Sequence, residues 1–253
     1  MSLQACAEMV ERSDPDRFRV AMAAPPPARE ILFPLYAFNL EVARAPWRTR
    51  EPMLAEMRLQ WWRDVVENSA AGETPPAHEV AGPLGALLNA GRLDPAPLDA
   101  LIEARRRDIE REPFAPDALR PYLEGTAGNL LWAGAGGLGE PESSRPAIIQ
   151  AGYASGLATW LLALPELATH GRGLAILTPD TIHSLAQDAL AALSESRRTR
   201  FGPGIPALRA ASLAAAMLKA ASRDPDAVLH GRLALPEGQK RLRLLWVTLR
   251  GTW

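Results

Sequence analysis

Apolar residues in this chain recur at intervals of three and four rather than two, and strong helix formers fill the positions between them. A chain patterned this way cannot present the alternating faces of a sheet, so an all-α fold is expected. The spacing predicts helices over about Leu3 to Arg12 and about Pro27 to Ala45, the second opening after the Pro25-Pro26-Pro27 run and ended by Pro46. Proline suits a first helical turn and breaks an interior, which sets both limits. In "EPMLAEMRLQWWRDVVENS" the residues Met57, Trp61 and Val65 stack at i, i+4, and Trp62 with Val66 widens the stripe. That helix is expected to be buried on more than one side. Further helices are expected over about 97–112, 116–137, 146–169, 181–198, 206–222 and 236–250, with a short one in "LGALLNAG". Residues 69–83 and "GRGLAILTPDTI" read as loops, and no solenoid repeat or low-complexity tract interrupts the pattern.

The chain has 253 residues, 47% of them hydrophobic, enough for one large domain or two small ones; a single domain over 1–253 is favoured. With 28 Lys and Arg against 29 Asp and Glu, the net charge of −1 offers nucleic acid no attracting field, so any lipid or anion affinity requires a local patch. One cysteine, Cys6, excludes an internal disulfide and Cys-based zinc clusters and is expected to be an inert packed thiol. The N-terminal stretch lacks the features of a signal or transit peptide, which predicts a cytoplasmic protein. Apolar runs are expected to be broken by charge or proline before the roughly 20 residues a bilayer span needs, leaving peripheral contact at the inner face of the inner membrane open.

Candidate motifs are few. The four histidines, His78, His170, His183 and His230, are scattered, and Glu166 with His170 at i, i+4 falls short of a zinc site. No G-x-S-x-G is present. "GAGGLG", 134–139, satisfies a dinucleotide pattern but follows a helix instead of a strand, so it reads as a helix C-terminus with close glycine packing. Two readings stand for "GQKRLRLLWVTLRG", 238–251: a terminal core helix, the simpler, or a helix lying in a membrane interface. Carboxylates at i, i+4, which could hold Mg²⁺, occur only as Asp99/Glu103 and Asp108/Glu112. On one continuous helix these pairs would lie about 180° apart and could not serve one site, so they are expected to pair with neighbours such as Arg105, Arg106 and Arg107.

"LYAFNLEVARAPW", "MRLQWWRDVV", "LIEARRRDIEREPF", "YLEGTAGNLLWAGAGGLG" and "AGYASGLATWLLALP", in that order, resemble the squalene/phytoene synthase family, with the likeness strongest over 17–180 and helices 181–253 completing the bundle. The resemblance implies an isoprenoid-synthase-like bundle around a central apolar cavity. It also implies two Asp-rich helices facing each other across the mouth, where Mg²⁺ would bridge them to an isoprenyl diphosphate.

At the places where that family carries an Arg and a D-x-x-x-D pair, this chain has Leu40, Ala43 and Trp47. The second Asp motif would fall in "ATWLLALPELATHGR", where Glu166 is a lone acid and Pro165 is expected to interrupt the helix. The replacements resemble the family's non-catalytic branch, the group of the sixth complex I assembly factor. That resemblance implies a bacterial pseudoenzyme with no catalytic residue and no metal or cofactor, partnered by respiratory complex I subunits or assembly intermediates. Tyr36, Asn39, Glu41, Arg63 and Asp108 are expected to line a remnant pocket, and Phe38, Trp62, Trp132 and Trp160 the cavity; Glu41 with Asp108 is an alternative cation pair. Two further readings stand beside this one: an active Mg²⁺-dependent prenyltransferase, and a module binding an isoprenoid or other lipid in a Trp-lined cavity.

Overall fold

The computed structural model describes residues 2–253. Its helices are α1 (Leu3–Ser13), α2 (Pro15–Met22), α3 (Pro26–Arg44), α4 (Pro52–Ala70), α5 (Ala81–Asn89), α6 (Pro95–Arg105), α7 (Pro116–Leu123), α8 (Asn129–Gly137), α9 (Arg145–Thr169), α10 (Pro179–Ser196), α11 (Ile205–Leu208), α12 (Ala214–Arg223), α13 (Pro225–Leu229) and α14 (Glu237–Leu249). Among the described residues extended pairing is limited to one bridge, Phe114 with Leu174.

Helix starts follow a local rule. Asp14, Asp94, Thr178 and Asp224 each stand just before a proline at the first helical position, and each side chain accepts a backbone N–H of the first turn. The cap satisfies one orphan donor, and the proline needs none. Two of these signals open α2 and α13, helices that apolar spacing alone does not reveal because each is short.

α9 is the central element, packed by α8, α10 and α12 and by the π-helical turn Glu124–Gly128 that joins α7 to α8. Small residues make this closeness possible. A Cβ on Gly152 would stand 2.4 Å from the Gly128 Cα, and one on Gly156 would stand 2.6 Å from the Ala127 Cβ. α9 also departs from expectation in two ways. Pro165 lies inside the helix, which continues to Thr169, so one missing N–H is tolerated where tertiary packing holds the strand of helix in place. Between Arg145 and Glu166 no residue is charged, so the expected early interruption of every apolar run is corrected; the stretch is long and apolar enough to cross a membrane by composition. More than half of that window is buried inside the protein, as befits the central core helix.

Three other expectations are corrected. α4 turns Ala55, Leu59, Trp62, Val65 and Val66 inward, whereas Met57 and Trp61 are exposed, so it is buried on one side only. The helix expected over 97–112 stops at Arg105 and tightens into a 3₁₀ turn, Arg106–Ile109, before Arg111 adopts φ 56°. Asp108 therefore leaves the frame it would share with Asp99. α14, by contrast with a terminal core helix, buries only Val247.

Candidate functional site

α3 is continuously buried through its middle turns, from Ile31 to Asn39, and this fixes where its last turns point. Phe38 is fully buried and meets Trp62 of α4 edge to face at 5.4 Å. Tyr36 is buried beside the Arg17 guanidinium, 5.9 Å from its ring, and its hydroxyl has no hydrogen-bond partner among the described residues. Burial pushes the Tyr36 phenol well above its ordinary range, with Arg17 opposing. Asn39 is buried on the same helix. Glu41, its side chain mostly buried, accepts from Arg48 at 3.2 Å and borders a groove of about 450 Å³ with Leu54, Met57, Trp61 and Trp62.

Beyond the end of α3, Trp47 reaches the segment that follows α9. The Arg172 guanidinium lies 3.6 Å from the centre of the Trp47 ring, and His170 meets that ring edge on at 5.9 Å. Arg172 is 9% exposed, and burial lowers its affinity for a proton, partly offset by Asp108. His170 directs Nδ1 to the Glu166 backbone oxygen at 3.0 Å, so the i, i+4 acid and imidazole do not meet through their side chains.

Asp108 belongs to a different cluster. Tyr122 donates its hydroxyl to the Asp108 carboxylate at 2.9 Å, and Arg105 reaches the same carboxylate at 3.3 Å and the Tyr122 oxygen at 2.7 Å. Burial disfavours the Arg105 charge, but Tyr122 and Asp108 outweigh it and hold the guanidinium firmly protonated. Arg63 is engaged elsewhere, by Asp99 at 2.6 Å and Glu103 at 3.6 Å. The expected grouping of Tyr36, Asn39, Glu41, Arg63 and Asp108 thus divides: Glu41 is on the groove beside α4, Arg63 in a surface ion pair, and Asp108 beside a space of about 20 Å³ bordered by Phe114, Trp160 and Arg172. The alternative Glu41/Asp108 cation pair is not assembled, each acid being held by its own arginine. Glu103 pairs with Arg106 at 2.7 Å and Asp108 with Arg105 at 3.3 Å, as expected, while Asp99 is taken instead by Arg63 at 2.6 Å.

The aromatic quartet divides similarly. Phe38 and Trp132 are packed in the core, while Trp62 borders the α4 groove and Trp160 the small space near Asp108. Trp62 and Trp160 thus border two different spaces. Sequence reasoning missed Arg172 and Tyr122, whereas the pairing of Arg105 with Asp108 was expected. Arg172 sits in a glycine-flanked loop with no periodic signal, and Tyr122 meets Asp108 only because the 3₁₀ turn rotates the acid toward α7.

Leu40 and Ala43 offer no oxygen ligand, Trp47 offers an indole, and Arg172 places a cation against it. Among the described residues no three His, Cys, Asp or Glu side chains converge closely enough to hold a metal ion. Mg²⁺ requires hard oxygen donors, so the side chains at these positions do not fit it.

A family model described as squalene/phytoene synthase matches residues 10–177. Complex I assembly factor 6 from Bos taurus is 25% identical over 197 residues, and that from Homo sapiens 25% over 200; the Drosophila melanogaster homolog is 26% identical over 196. Each mammalian match takes in 77% of this chain but only 59% of the relative's length. Among solved structures, a dehydrosqualene synthase bound to a ligand superposes with a TM-score of 0.77 at 15% identity, covering 98% of this chain and 95% of that one. A squalene synthase from Alicyclobacillus acidocaldarius gives 0.73 at 18% identity, covering 88% and 93%. At such identities these likenesses establish the isoprenoid-synthase-like fold.

Proposed function

The chain belongs to the squalene/phytoene synthase family, and from that premise we propose that it is a non-catalytic member assisting the assembly of respiratory complex I. The observation that carries this reading is the Arg172–Trp47 stack joining the end of α3 to the segment after α9. The family resemblance would set two carboxylate-bearing helices against each other there, with Mg²⁺ between them. In this chain a guanidinium and an indole meet instead, and a divalent cation entering would face a positive charge with no nearby trio of ligands. A departing diphosphate would lose the metal that neutralises it, and losing even one comparable electrostatic donor commonly costs about 10²- to 10³-fold in rate.

The direction of the function, toward complex I, is supported by the likeness to assembly factor 6 of cattle, humans and flies, which spans part of those proteins. Partners among complex I subunits or intermediates, and a location at the cytoplasmic face of the inner membrane, are parts of the same proposal.

Incubation of the purified protein with radiolabelled farnesyl or geranylgeranyl diphosphate and Mg²⁺ tests it, beside an active synthase as control. No joined C30 or C40 product is expected. Magnesium-dependent product would overturn the non-catalytic reading in favour of a prenyltransferase with relocated ligands. In the host, deletion of the gene should reduce assembled complex I on a native gel, and normal assembly would sink the assembly role even if turnover is absent.

A further inference from the structure

The final helix of the structure carries an apolar face that nothing in the fold covers. Leu242, Leu245, Trp246 and Leu249 are 69%, 55%, 45% and 78% exposed. Their spacing of i, i+3, i+4 and i+7 places them within an arc of roughly 100° on α14. The opposite side is the one that docks. Val247 is fully buried there, Lys240 reaches Asp16 and Glu237 at 3.0 Å each, and Leu244 borders a cleft of about 390 Å³ shared with Leu162 and Met217. The helix is therefore anchored by one face and presents the other.

Charge is arranged along the edges of the exposed arc. By the same helical geometry Arg241 stands on one edge, and Arg243 with Arg250 on the other. Arg243 and Arg250 lie over the Trp246 ring at 5.2 and 4.3 Å. The acids near this helix, Asp16 and Glu237, are taken up by Arg19 and Lys240 at its first turn. Arg197 adds a further cation: its guanidinium pKa is lowered by burial and by the like charge of Arg243.

We infer that α14 is an interfacial helix that seats this protein on an anionic bilayer surface, with Leu242, Leu245, Trp246 and Leu249 entering the headgroup boundary and the arginines contacting lipid phosphates. A convex apolar arc with a tryptophan inside it and cations on both edges fits a flat surface that is apolar in depth and negative at its rim. A protein occupant would have to supply a groove with acidic walls on both sides. Because the inference stands on α14 alone, it is independent of whether the site at Trp47 and Arg172 is catalytic.

Flotation of the full chain with vesicles tests it, comparing pure phosphatidylcholine with about three parts phosphatidylcholine to one part phosphatidylglycerol. Binding to the anionic vesicles is expected, weakened by salt, with little on neutral ones. The double variant Leu245→Ser/Leu249→Ser removes exposed side chains and should retain its circular dichroism while losing roughly tenfold or more in vesicle affinity. Arg241→Gln/Arg250→Gln should weaken anionic binding and leave the weak neutral binding unchanged. Absence of vesicle binding by the unaltered chain would overturn the inference. So would vesicle binding that the leucine variant leaves intact, or self-association in solution that the variant abolishes while lipid is ignored.

Discussion

Trp47 and Arg172 are far apart in sequence, yet the guanidinium sits at stacking distance over the indole and is mostly withdrawn from water. A cation–π contact contributes about 0.5–1 kcal/mol when exposed and about 2 when desolvated, and Trp47 is 43% exposed, so Trp47→Ala and Arg172→Ala should each lower stability by about 1 kcal/mol. In a double-mutant cycle by urea unfolding the two should couple by at least about 0.5 kcal/mol, and simple additivity would refute a direct energetic contact. Cys6 gives a second prediction at this scale. It is fully buried with Sγ near the Glu79 carbonyl at 3.5 Å, and burial, reinforced by Glu79, pushes its thiol up to about 11. In the folded chain it should resist iodoacetamide at neutral pH and react only after denaturant is added; rapid labelling of native protein would show that the pocket opens.

Among the elements, the contact of α9 with the π-helical turn Glu124–Gly128 depends on glycine for distance, not for backbone angle. Three backbone atoms of Ala127 and Gly128 lie within 2.9 Å of a Cβ placed on Gly152. Backbone cannot give way as a flexible side chain would, so Gly152→Ala should destabilise by about 1–3 kcal/mol, read as a fall in the urea midpoint. An unchanged midpoint would mean that the two segments are not so closely apposed. α14 is the contrasting case: substitution of its exposed leucines should leave the unfolding midpoint nearly unchanged, because those side chains bury little on folding.

The molecule as a whole carries its three tyrosines, Tyr36, Tyr122 and Tyr153, in settings where burial, the largest influence on each, raises the phenol pKa; Cys6 is raised in the same way. In the unfolded chain these groups release protons near their ordinary values, about 8.5 for Cys and 10 for Tyr. Above those values the unfolded state binds fewer protons than the folded one, so stability is complete below about pH 8.5 and declines as pH rises. The urea midpoint should therefore be lower at pH 10.5 than at pH 7.5, and a constant midpoint across that window would show that these groups titrate alike in both states. The helical architecture, the placement of α1, α3, α9 and α10, the packing of the glycines in "GAGGLG" and the family resemblance were all legible in the sequence, because helix propensity, proline position and apolar period act over a few neighbouring residues. The Asp14-Pro15 and Asp224-Pro225 starts were written there too, in capping chemistry that a reading of apolar period passes over. Only the tertiary structure decided that Trp47 would meet Arg172, that Asp108 would turn to Tyr122, and that Trp61 and the apolar face of α14 would remain outside. Each depends on where one element ends or which face a distant neighbour covers, and apolar spacing along one helix says that a face exists without saying what, if anything, lies against it.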